Sequence, residues 1–533
     1  CPRKSRKERY MNTANFLAIP ASLFPEQEIV RFEHRTWSYG QLWEEVRHLA
    51  GGLRHMGLAL GNCVAVLDTN SDRYVALCYA TACAGGVFLP LNYRAKLPEL
   101  QFMVESAAVS VLFVGDRYVA TIEPLLRELE KRPTVVALGH EQGLDMHYED
   151  LLRHLPLEEP IALEDDATAI LMYTSGTTAR PKAVLLTHGD FTQYVTSNVE
   201  LADGTPRGTA LVCAPLYHIA GATNIMSNVW AGRRMVLLPQ FEAEAWLDAV
   251  EREGVTHAFV VPTMLKQILD HPSFSRRDLS SLQVLSYGGA PMPFPVIRRA
   301  IEAFPANVGF VNAFGQTETT STLTVLGPDD HRLSGVPEFD EIKLRRLRSI
   351  GRPLPDVEVR VVDDEGRDLP RGEVGELWVR TPRVMKGYRT NAGIESPVRG
   401  DGWLPTRDMA WIDEEGYIFL AGRKDDMIIR GGENIAPAEV ESTLFSHPAV
   451  EDVAVVGVPD IEWGQRVAAF VVRRSNSDVT AQELIEFCRQ RLASFKKPDF
   501  VYFVPELPKN PLGKVLRREL RDQWERGELS SES

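Results

Sequence analysis

Apolar and polar residues follow two periods along this chain, one typical of buried strands and one typical of helices. Short apolar runs predict strands at 64–67, 109–114, 134–138, 169–173, 235–238 and 258–261. Between these runs, segments such as 39–55 and 97–105 carry apolar residues at helical spacing. Strands that alternate with helices are typical of α/β domains with largely parallel sheets.

The pattern changes in the last third of the chain. Between 357 and 380, short strands alternate with glycine turns, which predicts a small antiparallel barrel or sheet. Beyond Gly422 a compact α+β unit begins, with strands predicted at 453–456, 467–472 and 500–504 and an amphipathic helix at 481–495. We therefore predict an α/β fold, in which a large N-terminal lobe of parallel-sheet α/β layers plus a small β-barrel precedes a small α+β C-terminal domain.

One uncharged stretch, residues 74–93, is as long as a membrane span of about 20 residues. Gly85, Gly86 and Pro90 interrupt it, and several of its side chains are polar. A buried helix at 74–84 followed by a core strand at 87–89 explains the pattern better. We therefore predict no transmembrane segment.

Composition narrows the class of protein. Apolar residues make up 44% and charged residues 25%, as in a soluble globular enzyme, and the net charge of −14 argues against nucleic acid as a partner. Six cysteines without a Cys-x-x-Cys pair predict buried thiols in a reducing compartment rather than a disulfide framework. Residues 1–10 are basic and precede the first methionine, Met11, so we expect a leader that is disordered or not native.

The first candidate for chemistry is the segment from Tyr173 to Thr178, YTSGTT, which is followed by Pro181 and Lys182. Hydroxyls and backbone N–H groups in a tight turn after a buried strand can hold an anion, and a nearby lysine suits phosphate. The segment is neither a Walker A loop nor a GxGxxG fingerprint. An ordinary Ser/Thr turn is the alternative.

Further segments offer groups that suit a nucleotide. The run from Asn312 to Glu318, NAFGQTE, combines an aromatic ring with a carboxylate, and a carboxylate beside polyphosphate suits Mg²⁺. A helix start capped by Thr317 would explain it equally. The segments GWLPTRD and GRKDDM each place a carboxylate or guanidinium at a strand end, where ribose hydroxyls could be bound. Lys514 lies in the Pro/Gly loop KNPLGK, although charge statistics alone favour a solvated lysine there.

The order of these segments along the chain resembles that of a known enzyme superfamily. YTSGTTARPKAV, PLYHIAG, SYGGAP, NAFGQTE, LPTRDMA, GRKDDMIIRGGENIAPAEVE and NPLGKVLR follow one another as in the adenylate-forming enzymes, the superfamily of acyl-CoA synthetases, adenylation domains and luciferases. The resemblance spans roughly Thr36 to Arg518, and the chain looks most like the fatty-acyl-CoA synthetases.

The resemblance implies a ligase that uses ATP, Mg²⁺ and coenzyme A. A carboxylate would attack the α-phosphate of ATP to give acyl-adenylate and pyrophosphate, and the thiol of coenzyme A would then displace AMP. It also implies an N-terminal AMP-binding domain at 11–423, a hinge at 424–426 and a mobile C-terminal domain at 427–533 that alternates between two orientations.

The resemblance assigns roles residue by residue. The pyrophosphate loop would comprise Thr174, Ser175, Gly176, Thr177, Thr178 and Lys182; the adenine pocket Gly289, Ala290, Pro291 and Phe314; and the ribose contacts Asp408 and Arg423. Catalysis would involve Thr317 at the α-phosphate, Glu318 at the metal, His218 near the reacting carboxylate and Lys514 in adenylation. The acyl pocket would be lined by His218, Gly221, Ala222 and Gly288, the coenzyme A tunnel by Gly431, Gly432 and Glu433, and Asp425 would be the hinge residue.

Three positions depart from the family pattern, which has glycine where this chain has Ala179, Ala183 and Arg407. A methyl group disfavours positive φ, so we expect altered mobility in the phosphate loop. Arg407 is expected to add a bulky cation beside the nucleotide. All charged and hydroxyl groups of the pattern are retained, so we expect an active enzyme.

Several alternatives remain open from the sequence. The expected substrate is a medium- or long-chain fatty acid, because the small residues Gly221 and Ala222 suggest room for an alkyl chain. An aryl or cyclic acid, transfer to a carrier-protein thiol, and a non-catalytic acyl- or nucleotide-binding protein are the alternatives, the last disfavoured by the retention of Lys514, Glu318 and Lys182. We expect a cytoplasmic protein with small-molecule partners; peripheral membrane contact and a homodimer are compatible with the sequence.

Overall fold

The chain is described here by a computed structural model over residues 11–174, 181–431, 433–475, 477–509 and 514–528, with the side chains at 338, 339 and 434 outside that description. The strands are β1 (Glu28–Phe32), β2 (Arg35–Ser38), β3 (Cys63–Leu67), β4 (Val87–Pro90), β5 (Val109–Val114), β6 (Thr134–Ala137), β7 (Met146–His147), β8 (Thr168–Thr174), β9 (Lys182–Thr187), β10 (Thr209–Val212), β11 (Arg234–Leu237), β12 (His257–Val260), β13 (Val284–Gly288), β14 (Gly309–Gln316), β15 (Ser321–Leu326), β16 (Arg352–Pro353), β17 (Glu358–Val362), β18 (Gly375–Arg380), β19 (Gly387–Thr390), β20 (Gly393–Glu395), β21 (Leu404–Ile412), β22 (Ile418–Arg423), β23 (Ile428–Arg430), β24 (Glu433–Ile435), β25 (Val450–Asp460), β26 (Gly464–Arg473) and β27 (Phe500–Phe503). The helices are α1 (Asn15–Leu23), α2 (Tyr39–His55), α3 (Asp72–Cys83), α4 (Leu97–Ser106), α5 (Val119–Glu128), α6 (Tyr148–Leu151), α7 (His188–Asn198), α8 (Ile219–Ala231), α9 (Ala243–Glu253), α10 (Pro262–Asp270), α11 (Phe294–Ala303), α12 (Pro328–His331), α13 (Pro337–Arg346), α14 (Pro437–Phe445), α15 (Ala481–Arg489) and α16 (Arg517–Glu525).

In the described residues, two nine-stranded sheets and a smaller four-stranded sheet form the large lobe. One nine-stranded sheet has the order β16-β15-β14-β13-β12-β10-β11-β1-β2 and the other the order β20-β19-β9-β8-β4-β3-β5-β6-β7. Their central strands pair in parallel, while β8 and β9 pair antiparallel, as do β9 and β19. The α/β class expected from the sequence is confirmed.

Local signals explain why the predicted elements form. Helix α2 has the bounds expected from its apolar spacing, because Ser38 and Gln41 form a reciprocal capping box at its start. Strand β5 also has the expected bounds. The uncharged stretch folds as α3 followed by the buried strand β4, as expected. No helix in the described part of the chain is long and apolar enough to cross a membrane.

The two smaller units differ in detail from expectation. The unit predicted as a small barrel or sheet is, over the described residues, an open antiparallel sheet of order β17-β18-β21-β22. In the C-terminal domain β23, β24, β25, β26 and β27 form one sheet. Helix α15 ends at Arg489 instead of 495, because Ala493 is extended and a 3₁₀ turn at Ser494–Lys496 leads the chain into β27. The cysteines at 63, 78, 83, 213 and 488 are free and buried, as expected.

Candidate active site

Thr174 and Lys182 stand opposite each other at the ends of β8 and β9, where they are paired in the antiparallel register. The loop between these strands includes Ser175, Gly176, Thr177, Thr178 and Ala179, which lie outside the described residues. The two described ends of the predicted phosphate loop are therefore 8 residues apart in sequence and adjacent in space. Ala183 lies in the regular part of β9 and is buried, so a strand conformation that any residue adopts accommodates its methyl group.

Glu318 lies in a 3₁₀ turn at Thr317–Thr319 that follows β14. The next two residues, Thr320 and Ser321, have φ of 51° and 85°, a left-handed conformation that is costly for side chains with a Cβ. Strained backbone of this kind persists only where the surroundings fix it. The turn that presents Glu318 is therefore held by its neighbours rather than by local preference.

The neighbours that fix this turn come from the segment between β18 and β19. The guanidinium of Arg383 is fully buried, pairs with Asp356 at 2.7 Å, and donates to the carbonyl oxygens of Thr319 and Thr322 at 2.8 and 2.7 Å. The backbone N–H of Met385 donates to the Glu318 carbonyl oxygen at 2.9 Å. Neither Arg383 nor Met385 belongs to the motifs singled out in the sequence.

Glu318 is suited to hold Mg²⁺ beside a polyphosphate. Its carboxylate is half-buried and accepts a hydrogen bond from the Tyr388 hydroxyl at 2.8 Å. The described residues contain no group of three or more His, Cys, Asp or Glu arranged around a metal position. A single carboxylate nevertheless fits Mg²⁺, which takes one or two carboxylates and completes its shell with phosphate oxygens and water.

Asp408 joins the other predicted site residues. Its side chain is 9% exposed, receives Arg423 Nε on Oδ1 at 3.0 Å, and accepts from Gln316 Nε2 on Oδ2 at 2.6 Å. Burial raises the pKa of Asp408, and the charges of Arg423 and Lys514 oppose that rise. Gln316, two residues before Glu318, therefore connects the turn that carries Glu318 to the Asp408 carboxylate, a contact that the NAFGQTE motif did not reveal.

Lys514 is close enough to Asp408 and Arg423 for their charges to affect its pKa. Burial lowers the pKa of Lys514 and the charge of Arg423 lowers it further, while Asp408 and Asp426 raise it. Lys514 follows residues 510–513, which are outside the described part of the chain, so only its own environment is considered. The C-terminal domain thus brings its lysine to Asp408 and Arg423 of the large lobe.

The expected hinge at 424–426 is bound to different domains on its two sides. Lys424 Nζ pairs with Asp364 at 2.9 Å and Glu376 at 3.3 Å in the large lobe. Asp426 instead pairs with the C-terminal domain, at 3.2 Å from Arg521 Nη2. Asp425 lies between them and forms a bidentate pair with Arg407, with Nε 3.0 Å from Oδ2.

Arg407 contacts the expected hinge, and its expected place beside the nucleotide stays a prediction. It lies at φ 62°, in the left-handed region that favours glycine, and its guanidinium binds the hinge residue Asp425. Arg407 is exposed and Asp408 is buried, at a point where the register between β18 and β21 shifts. The substitution of the family glycine therefore acts on the hinge contact.

His218 is the residue before helix α8, and its ring lies 4.3 Å from that of Tyr217. Its Nε2 is buried and has no hydrogen-bond partner among the described residues. Burial lowers the pKa of His218 to about 3, so the imidazole is neutral at physiological pH. A buried neutral imidazole with an open nitrogen can accept or donate one hydrogen bond to a substrate.

The small residues expected in the acyl pocket have packing reasons of their own. A Cβ on Gly221 would lie 2.7 Å from Leu216 Cα, and one on Gly288 would lie 2.1 Å from the Ala313 carbonyl oxygen. Ala222 is buried in the main core cluster. The size of the two glycines thus follows from close backbone approach, so it is not evidence of room for an alkyl chain, and the pocket role of all three residues stays a prediction.

The remaining predicted residues lie at loop ends. Gly289 has φ 79° after β13, followed by the partly exposed Ala290 and the exposed Pro291. Phe314 on β14 is half-buried against the core of the small sheet. In the C-terminal domain, Gly431 has φ 57° and its N–H donates to the Trp463 carbonyl oxygen at 2.8 Å, while Glu433 begins β24; Gly432 is outside the described residues.

Comparisons with known proteins agree with this arrangement. Residues 18–389 match the family model described as AMP-binding enzyme, and residues 439–514 match the model described as AMP-binding enzyme C-terminal domain. The chain is 35% identical to an indoleacetate–CoA ligase of Aromatoleum aromaticum over 96% of this chain and 98% of that protein. It is 37% identical to a feruloyl-CoA synthase of Amycolatopsis sp over 95% of this chain and 97% of that protein.

A solved structure has the same architecture. The o-succinylbenzoate CoA synthetase (MenE) from Bacillus subtilis, in complex with its acyl-adenylate intermediate, has a TM-score of 0.81 and 30% identity to this chain, over 95% of this chain and 98% of that one. The similarity extends across both the large lobe and the C-terminal domain.

Proposed function

Because the chain belongs to the AMP-binding enzyme family, within the adenylate-forming superfamily, we propose that it joins a carboxylic acid to coenzyme A through an acyl-adenylate. The observation that carries the proposal is the electrostatic group around Asp408. Arg423, Lys514 and Glu318, from three distant parts of the sequence, all influence the pKa of this one buried carboxyl. Simple nucleotide binding does not need a lysine delivered by a second domain.

In the first step an oxygen of the carboxylic acid attacks the α-phosphorus of ATP. A P–O bond to the acid forms, the bond to the β-phosphate oxygen breaks, and pyrophosphate leaves. Negative charge crowds between attacking and leaving groups, and cations held in advance stabilise it. Lys514 and Lys182 would supply these cations, and Thr317 would contact the α-phosphate.

Glu318 would hold Mg²⁺ on the polyphosphate, where the ion would neutralise phosphate oxygens. Asp408 and Arg423 would bind the ribose, since a carboxylate accepts from ribose hydroxyls and can still be oriented by its arginine partner. Gly289, Ala290, Pro291 and Phe314 would surround adenine.

In the second step the thiol of coenzyme A attacks the acyl carbonyl of the adenylate. A C–S bond forms, the C–O bond to AMP breaks, and AMP leaves. Lys514 would occupy the site during the first step, so we propose that the C-terminal domain rotates before the second and brings Gly431, Gly432 and Glu433 to the pantetheine chain. The change of domain partners between Asp425 and Asp426 supports a pivot at this bond.

For the acid, we propose an aryl or cyclic carboxylate as the first candidate and a medium- or long-chain fatty acid as the second. The names of the indoleacetate and feruloyl relatives support the first. His218 supports either, because its open Nε2 could bind the reacting carboxylate.

A panel of acids tests the proposal. The enzyme is incubated with ATP, Mg²⁺ and either indoleacetate, ferulate, benzoate or fatty acids from C4 to C18, and pyrophosphate is measured with and without coenzyme A. We expect about one equivalent per enzyme without coenzyme A and continuous release with it. If no acid gives a thioester, the ligase function is refuted. If turnover occurs only when a carrier protein is supplied, the carrier protein and not coenzyme A is the acyl acceptor.

Lys514→Ala tests the site itself. Removal of the ammonium should abolish adenylation and spare thioester formation from supplied acyl-adenylate. Lys509→Ala is the matched control, because Lys509 lies in the same loop but pairs with Asp452 in its own domain. Equal loss of both half-reactions in Lys514→Ala would contradict its assigned role.

A further inference from the structure

Tyr388 contacts two charged groups of the proposed site at once. Its hydroxyl donates to Glu318 Oε1 at 2.8 Å, and Lys182 Nζ lies 5.0 Å from its ring centroid. The first contact is a charge-assisted hydrogen bond, and the second lies within the range of about 6 Å for a cation–π interaction. Nothing in the motif analysis assigned a role to this residue.

The sheet explains how one tyrosine reaches both groups. Strand β19 runs antiparallel beside β9, with Tyr388 opposite Val184, two residues from Lys182 at the start of β9. On the other side of the segment, the Met385 N–H fixes the backbone carbonyl of Glu318. Both the backbone and the side chain of Glu318 are thus positioned by residues 385–388.

We propose that Tyr388 is a positioning residue that orients the Glu318 carboxylate toward a divalent cation and holds the Lys182 ammonium toward the polyphosphate. This role rests on the proposed function, because it concerns the same nucleotide site. The hydrogen bond to Oε1 restricts rotation of the Glu318 carboxylate, which would then be held in one orientation for a divalent cation. Partners that orient a metal ligand in this way commonly change metal affinity by about 10- to 100-fold.

Two substitutions separate the two contacts. Tyr388→Phe removes the hydroxyl and keeps the ring, whereas Tyr388→Leu removes both. Tyr417→Phe is the matched control, because the Tyr417 hydroxyl also donates to a carboxylate, Asp330, at 2.9 Å and its ring lies 4.6 Å from the Arg346 guanidinium, outside the candidate site. Thermal unfolding of each variant shows whether the fold is retained.

The measurement is Mn²⁺ binding in the presence of the α,β-methylene analogue of ATP, followed by electron paramagnetic resonance, together with binding of the analogue without metal. Tyr388→Phe should weaken Mn²⁺ binding about 10-fold or more and leave metal-free binding within about twofold. Tyr388→Leu should also weaken metal-free binding, by about 2- to 5-fold. Tyr417→Phe should change neither.

Mn²⁺ binding by a folded Tyr388→Phe variant within twofold of the wild type would overturn the proposal. So would equal weakening in Tyr417→Phe. The proposed ligase function is tested separately from the role of Tyr388, because the wild-type enzyme could bind Mn²⁺ and the analogue yet turn over no acid. In that case the ligase function fails while the Tyr388 result still decides its positioning role.

Discussion

Replacement of the buried Arg383 by methionine should destabilise the large lobe far more than an equivalent surface change. Methionine keeps much of the length and apolar bulk of the side chain but removes the guanidinium. Asp356, with a side chain only 14% exposed, would lose its partner, and the carbonyl oxygens of Thr319 and Thr322 would lose their donor. The loss of one partner of a buried pair costs about 3–5 kcal/mol.

Arg380→Met is the matched control, since Arg380 lies three residues earlier and pairs with Glu358 at side-chain exposures of 43% and 62%. Exposed pairs contribute about 0–1 kcal/mol. If the lobe unfolds in cooperative units of ordinary domain size, each kcal/mol lowers Tm by about 2–4 °C. We therefore expect Tm to fall by about 6–20 °C in Arg383→Met and by less than about 4 °C in the control.

The assay is thermal unfolding followed by tryptophan fluorescence, with the adenylation half-reaction measured well below Tm. Adenylation should fall in Arg383→Met even where the enzyme is folded, because Thr320 and Ser321 can relax from positive φ and carry Glu318 out of place. A Tm within about 2 °C of that of Arg380→Met would refute the reasoning. It would mean that water or a shifted side chain satisfies Asp356 and the two carbonyl groups.

Three further predictions concern the hinge, the catalytic lysine and acid stability. Arg407→Gly releases Asp425, so the thioester half-reaction should speed up relative to adenylation. The change should be up to about fivefold, which corresponds to the free energy of an exposed ion pair. Equal change in both half-reactions, measured separately, would exclude a hinge effect. Adenylation needs the charged form of Lys514, whose pKa is lowered from the usual value near 10.5. Adenylation should therefore be full below that lowered pKa and fall as pH rises through it. Thioester formation from supplied adenylate should show no such fall. Burial lowers the pKa of His188 and His331 to about 4. The free energy of unfolding that these neutral histidines contribute above pH 6.5 should therefore be lost as pH falls toward 4, at up to about 1.4 kcal/mol per histidine per pH unit. A Tm independent of pH between 7.5 and 5 would contradict this.

Elements that depend on local signals were predictable from the sequence. Helix α2 follows from its apolar spacing and its Ser38 capping box, and β5 from a run of apolar residues that only Ser110 interrupts. Helix α15 was predicted too long, because its apolar period continues past Arg489 while the backbone already turns toward β27. Such a turn is set by strand pairing with β26, which periodicity does not record.

The site was predictable as far as its chemistry lies in motifs. Glu318, Asp408, Arg423 and Lys514 were named from the resemblance, and the structure brings their charges together. The residues that hold these side chains in place were not named. Arg383, for example, contacts the Glu318 turn across a gap of more than 60 residues and resembles any surface arginine in the sequence. A buried partner for a charged side chain becomes visible only when the fold brings the two together.

Arg407 shows why a departure from a motif needs the structure to interpret it. In sequence the residue adjoins Asp408, so a bulky cation beside the nucleotide is the natural expectation. In the structure, however, Arg407 is exposed at φ 62° and pairs with Asp425, whereas Asp408 is buried and pairs with Arg423. Asp425 lies in the turn after β22, where the domain partners of the chain change. The contact that Arg407 makes is therefore with the hinge residue, and we predict that its replacement by glycine alters the balance between the two half-reactions.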